Sequence, residues 1–125
     1  MIKGVHSAII WTEEMRRLLP FYRDTVGMSV EMDTPEFVVF AGNGAGQLCL
    51  GVHSEVKGQS RDPNRVMVDL GVDDCQAEYE RLHSKGVEFL RKPSTDEGDP
   101  HIVATFKDPD GNLVQLIEEP EAPGG

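Results

Sequence analysis

Residues 106–118 read FKDPDGNLVQLIE. Phe106 closes an apolar stretch, Asp108 to Gly111 are turn formers, and Leu113 to Ile117 are apolar again. Asp110-Gly111 supplies the positive φ that a tight connection between antiparallel strands demands. The segment therefore predicts a hairpin of strands 101–107 and 112–118 joined through DPDGN. Upstream, 92–100 (KPSTDEGDP) reads as a polar loop and 87–91 as a strand. Before that, Cys75, Tyr79 and Leu82 form an apolar stripe of helical spacing, capped by Asp73 or Asp74 and stopped at Gly86. A strand at 65–72 leads into it. The order is β-α-β-β-β.

The first half repeats that order. A strand at 3–11 precedes Thr12, the expected N-cap, with Glu13 and Glu14 in the first helical turn. Met15, Leu18, Leu19, Tyr22 and Val26 make the helical stripe, Pro20 is expected to bend it, and Gly27 stops it. Strands follow at 28–33, 36–41 and 46–53, the last two separated by a turn at Gly42-Asn43-Gly44. The fold expected is α+β: one domain over 1–125, with unit one at 3–53, a polar linker at 54–64 and unit two at 65–119. Two such curved sheets facing each other would enclose a cleft, with the helices outside.

Composition narrows the function classes. The chain has 125 residues, 38% of them hydrophobic, enough for a core without disulfides. Its net charge of -10 argues against nucleic acid as a partner, because phosphates would meet no compensating charge. No apolar run reaches membrane-span length, and the N-terminus lacks a signal core, so the expected location is the cytoplasm. Cys49 and Cys75 have no metal or redox spacing and read as small buried hydrophobes.

With the duplicated unit in hand, FYRDTVGM at 21–28 and FKDPDGNLVQLIE at 106–118 make the chain resemble the vicinal oxygen chelate superfamily. Glyoxalase I, bleomycin-resistance proteins and extradiol dioxygenases belong to it. The resemblance runs from Val5 to Glu119. It implies that metal-dependent members hold a divalent metal at four strand positions, which match His6, Leu50, Met67 and Gln115 here. The repeat supports that register: His6 and Met67 each precede their expected caps, Thr12 and Asp73, by the same interval, and Leu50 and Gln115 follow Gly46 and Gly111 alike. Only His6 and Gln115 are conventional donors, fewer than the three a catalytic metal wants. Met67 offers a thioether and Leu50 nothing.

Strand alternation extends the expected cleft wall to Leu48, Asp69 and Leu113 beside these four. It is an apolar wall with polar points at His6, Asp69 and Gln115, the pattern of small-molecule pockets. Asp69 would hold a cationic group or orient His6, or else be a strand-end carboxylate paired with Arg65 or water. Trp11 and Phe21 are expected to pack sheet on helix, His83 to be solvated, His53 to face away from Leu50, and His101 to begin a strand beside the 92–100 loop, with the cleft mouth as its less favoured alternative. Three functions fit. The leading one is a metal-free, cofactor-free protein that sequesters a small organic molecule, assembled as a homodimer. The second is a metal-dependent lyase, isomerase or dioxygenase using His6 and Gln115 with a third ligand from His53, His101 or Glu118. The third is a metal-free enzyme in which His6 and Asp69 are catalytic and move protons.

Overall fold

The computed structural model describes residues 1, 3–42 and 46–120. Asn43 and Gly44 of the turn expected at Gly42-Asn43-Gly44 lie outside them. In chain order the elements are β1 (Ser7–Thr12), α1 (Met15–Pro20), a π-helical segment (Phe21–Val26), β2 (Val30–Asp33), β3 (Phe37–Phe40) and β4 (Gln47–Val52). Then follow β5 (Val68–Gly71), α2 (Cys75–Ser84), β6 (Phe89–Ser94), β7 (Ile102–Lys107) and β8 (Leu113–Glu118). The chain divides into two compact units, Met1–Gln59 and Ser60–Gly125.

Each unit is one four-stranded mixed sheet with one helical layer. The strand orders are β1-β4-β3-β2 and β5-β8-β7-β6. In each, the strand preceding the helix runs parallel to the last strand, and the other neighbours are antiparallel. The helix is the crossover that a parallel pair requires. The α+β class and the repeated β-α-β-β-β order stand as the sequence predicts.

The first helix departs from expectation in three ways. Its N-cap is Glu14, not Thr12, and its first turn holds no acidic residue. Thr12 instead ends β1, and its Oγ1 accepts from the Glu14 N–H at 3.1 Å, a turn that delays the helix by two residues. After Pro20, which has no N–H to give, the helix widens into π geometry rather than merely bending. The N–H groups of Gly27 and Met28 both return to the Tyr22 carbonyl, at 3.1 and 3.0 Å, and Gly27 takes φ 93°. The two N-caps, Glu14 and Asp74, are sixty residues apart, whereas the stop glycines Gly27 and Gly86 are fifty-nine apart. The π segment is where unit one stores its one extra helical residue.

The second helix follows its stripe. Asp74 is the N-cap and accepts from the Ala77 N–H at 3.0 Å, and Cys75 and Leu82 are buried. Glu118 of β8 accepts from the Cys75 N–H at 2.7 Å and so satisfies a second free donor of that terminus. Strand β6 runs to Ser94, past the expected end at residue 91, although Pro93 lies within it. It is an edge strand, where a missing N–H costs no ladder bond. The hairpin turn is organised by Asp108, whose Oδ1 accepts from the N–H groups of Asp110 and Asn112, both at 2.9 Å. Gly111 supplies the positive φ, 79°.

Candidate functional site

Which face of each sheet is free follows from the rings on the other. In unit two, Tyr79 of α2 meets Phe89 edge-on with centroids 4.7 Å apart, and Phe89 packs on Phe106 at 5.5 Å. Phe106 pairs with Val114, so Val114 faces α2, and Leu113, Gln115 and Ile117 point to the other side. Asp69 pairs with Gln115 and shares that helix-free face. Met67 lies immediately before β5, two residues before Asp69, and is 36% exposed. Asp69, Leu113 and Gln115 therefore share the helix-free face of this sheet.

In unit one the expected register is off by one. Tyr22 packs on Phe40 with centroids 6.3 Å apart, which places Phe40, and Val38 two residues before it, on the helix side. Val38 pairs with Leu50, so Leu50, with Leu48 two residues earlier, faces α1. Leu50 is 0% exposed and is ordinary core. The helix-free face of this sheet instead carries Cys49 and Gly51 from β4, Phe37 and Val39 from β3, and Trp11 from β1. Trp11 does not pack sheet on helix. Its ring lies over Gly51, where a Cβ would meet Cζ3 at 2.4 Å and Cε3 at 2.6 Å. Only glycine leaves room for it. His53 meets the Trp11 ring edge-on at 5.4 Å, opposite in face to Leu50 as expected.

His6 precedes β1 and is exposed; its Nδ1 lies 3.3 Å from the Ser7 hydroxyl. The position that matches Met67 is Ser7, because each lies seven residues before the true N-caps, Glu14 and Asp74. The residue that matches Gln115 is Cys49, the third of its strand as Gln115 is of its own. Burial pushes up the pKa of the Cys49 thiol, against a smaller downward pull from the neighbouring Ser7 hydroxyl. The repeat-related positions are thus Ser7 and Cys49 in unit one and Met67 and Gln115 in unit two. The first pair offers a hydroxyl and a thiol held protonated by burial, the second a thioether and an amide. Neither pair brings an imidazole or a carboxylate, the donors a hard or borderline divalent cation wants.

The proposed third ligands are committed elsewhere. His53 Nδ1 accepts from the Glu55 N–H at 3.1 Å. Glu118 is occupied by the Cys75 N–H. His101 is clamped on both ring nitrogens, Nδ1 by Asp99 at 2.7 Å and Nε2 by Glu119 at 2.9 Å. These hydrogen bonds, that from Asp99 first, raise its pKa. Among the described residues no group of three or more His, Cys, Asp or Glu side chains is placed to hold a metal ion.

Reading straight across each sheet exposes a difference between the units. In unit one the row Ile9–Cys49–Val39–Met32 is apolar apart from the thiol. In unit two the matching row is Asp69–Gln115–Thr105–Arg91. Gln115 Nε2 donates to Thr105 Oγ1 at 3.3 Å. Arg91 is held by Ser94 at 2.8 Å and Asp96 at 3.1 Å. Arg65 does not reach Asp69, since it pairs with Asp62 at 3.0 Å. Two grooves, of about 530 and 630 Å³, flank the start of α2 and share Asp73, Asp74 and Glu118. Polar alternation along β5 and β8 was legible in the sequence; the one-residue slip of unit one was not.

Residues 4–116 match the family model of the glyoxalase/bleomycin resistance protein/dioxygenase superfamily, and the chain belongs to that superfamily. It is 25% identical over 123 residues to the uncharacterized protein YetH of Bacillus subtilis, covering 94% of this chain and 100% of that one. It is likewise 25% identical over 121 residues to a lactoylglutathione lyase of Haemophilus influenzae, covering 90% of each. Among solved structures, a member of the same superfamily from Sphaerobacter thermophilus superposes with a TM-score of 0.75 at 29% identity, covering 94% of this chain and 98% of that one. No helix among the described residues is long and apolar enough to cross a membrane.

Proposed function

We propose that this chain is a metal-free member of the superfamily that binds a small organic molecule on the helix-free faces of its sheets. The observation that carries the reading is the donor set: Ser7 and Cys49 in unit one and Met67 and Gln115 in unit two stand at repeat-related positions and bring no imidazole or carboxylate. On the face of unit two the polar points are Asp69, Gln115, Thr105 and Arg91, beside Leu113; the face of unit one carries Ile9, Cys49 and the Trp11 ring. An apolar wall with a few polar points orients a ligand without reacting with it. Large apolar side chains left in solvent, Val66 and Leu90 among them, support a homodimer with a second copy as cover. The compartment that fits is the cytoplasm, where the two free cysteines stay reduced.

The test is a calorimetric titration of protein purified without chelators against Zn²⁺, Ni²⁺ and Mn²⁺, with elemental analysis of the starting material. The expected result is neither tight uptake nor stoichiometric metal. Tight uptake of any of the three would overturn the reading and return the chain to the lyase or dioxygenase alternative, for which the lactoylglutathione lyase relative is the precedent.

A further inference from the structure

Of the four side chains in the polar row of unit two, three are already answered within the chain. Arg91 is bound by Ser94 and Asp96, and Thr105 and Gln115 are bound to each other. Asp69 is not. Among the described residues its carboxylate has no hydrogen bond and no ion pair, and the arginine four positions earlier is spent on Asp62. Its flanking positions on the same face are Met67 and Gly71, which bring no donor.

Gln115 is its register partner on the adjacent strand, about 4.8 Å away across the ladder. The Gln115 amide nitrogen is turned toward Thr105, on the far side from Asp69. That bond fixes the amide so that its carbonyl oxygen is left over. Thr105 is 6% exposed, so the anchoring hydroxyl is not competing with bulk water. The face therefore presents two acceptors on neighbouring strands, one a full carboxylate, with the Gln115 amide nitrogen turned to the far side.

We infer that Asp69 and Gln115 form the recognition pair for an organic cation bearing N–H donors, an amidinium or a primary ammonium on an apolar body. This rests on the small-molecule reading given above and names the ligand class for it. An amidinium satisfies a carboxylate with two parallel N–H bonds and keeps further N–H groups for a neighbouring carbonyl. An anion would meet the Asp69 carboxylate and be repelled. A neutral body would leave the carboxylate unanswered as it loses water. The net charge of -10 adds a long-range pull of the same sign. Unit one has no counterpart: Ile9 and Cys49 stand at the positions of Asp69 and Gln115, so the cation is selected by unit two alone.

The experiment is an amide-resolved NMR titration of the full chain with three probes of one size: benzamidine, benzyl alcohol and benzoate. Benzamidine should shift the Asp69 and Gln115 signals saturably, and the other two should bind at least tenfold more weakly. Asp69→Asn, a near-isosteric change at an exposed position, should weaken benzamidine at least tenfold while leaving the melting temperature in place. Gln115→Met should weaken it less. Equal binding of benzyl alcohol at the same residues would overturn the cation assignment and leave the small-molecule reading standing. Benzamidine binding that Asp69→Asn does not change, or that shifts neither residue, would overturn it too. Shifts of these residues by Zn²⁺ alone would instead remove the metal-free reading beneath it.

Discussion

Substituting glutamate at Leu50 and at Met67 separates two registers that alternation alone cannot tell apart. If Leu50 lined an open face as Met67 does, both variants would fold. The structure says otherwise. Leu50 is 0% exposed and pairs with Val38, itself fully buried, beneath α1. Truncating a leucine so placed removes about 2–5 kcal/mol, the transfer free energy plus the cavity. Leu50→Glu adds an uncompensated buried charge, worth another few kcal/mol. Together these approach the ~5–15 kcal/mol that holds a domain folded. The expected outcome is an unfolded or insoluble protein, with Leu50→Ala folded but weakened by about 3 kcal/mol in urea. Met67 is 36% exposed beside an edge strand, so Met67→Glu should cost under about 1 kcal/mol. Urea denaturation followed by circular dichroism reads all three. A Leu50→Glu variant that melts like the wild type would refute the register derived for β4, and with it the place of Cys49 among the repeat-related positions.

Gly51→Val should drive the Trp11 ring off its seat, costing about 1–3 kcal/mol, and because Trp11 is the sole tryptophan its fluorescence emission should move to longer wavelength; unchanged emission would contradict the stacking. The clamp on His101 has a defined sign: its pKa is raised in the folded chain, so the stability it lends is complete below about pH 6.5, the ordinary histidine value, and is lost as pH rises through the folded value. His101→Gln should abolish that part of the pH dependence of melting, and a histidine ring titration below pH 6.5 would contradict the clamp. Glu118→Gln should weaken the bond to the Cys75 N–H and lower stability by about 0.5–2 kcal/mol in urea denaturation; an unchanged midpoint would count against a charge-assisted bond.

The order of elements was legible because each half announces the same sequence of signals: apolar strand, cap, stripe, stop glycine, hairpin. Unit two was legible even to the facing of single residues, since Asp74 sits where a cap belongs and Gly111 fixes the start of β8. Unit one misled at two places. Thr12 is as good a cap residue as any, but it spends its hydroxyl on a turn, and Glu14, a poor cap, begins the helix. The shift by one carried His6 into a place that belongs to Ser7. In β4, the run QLCLGV is apolar on both faces, so period-two alternation could not say whether Leu48 and Leu50 or Cys49 and Gly51 met the helix. The contact that decides it, Tyr22 on Phe40, joins residues far apart in sequence.

The widened turn after Pro20 bears on how the two halves drifted apart. A residue gained inside a strand would invert every side chain beyond it, and one gained in a tight hairpin would break the turn. The π segment absorbs its surplus between two fixed points, the buried Leu18 and the stop at Gly27, while the stripe ahead of it and β2 behind it keep their places. The one-residue difference between the two helical layers is thereby confined to a helical stretch away from the binding rows. A helical layer of this kind can take up a single inserted residue while the strands on either side of it keep their facing.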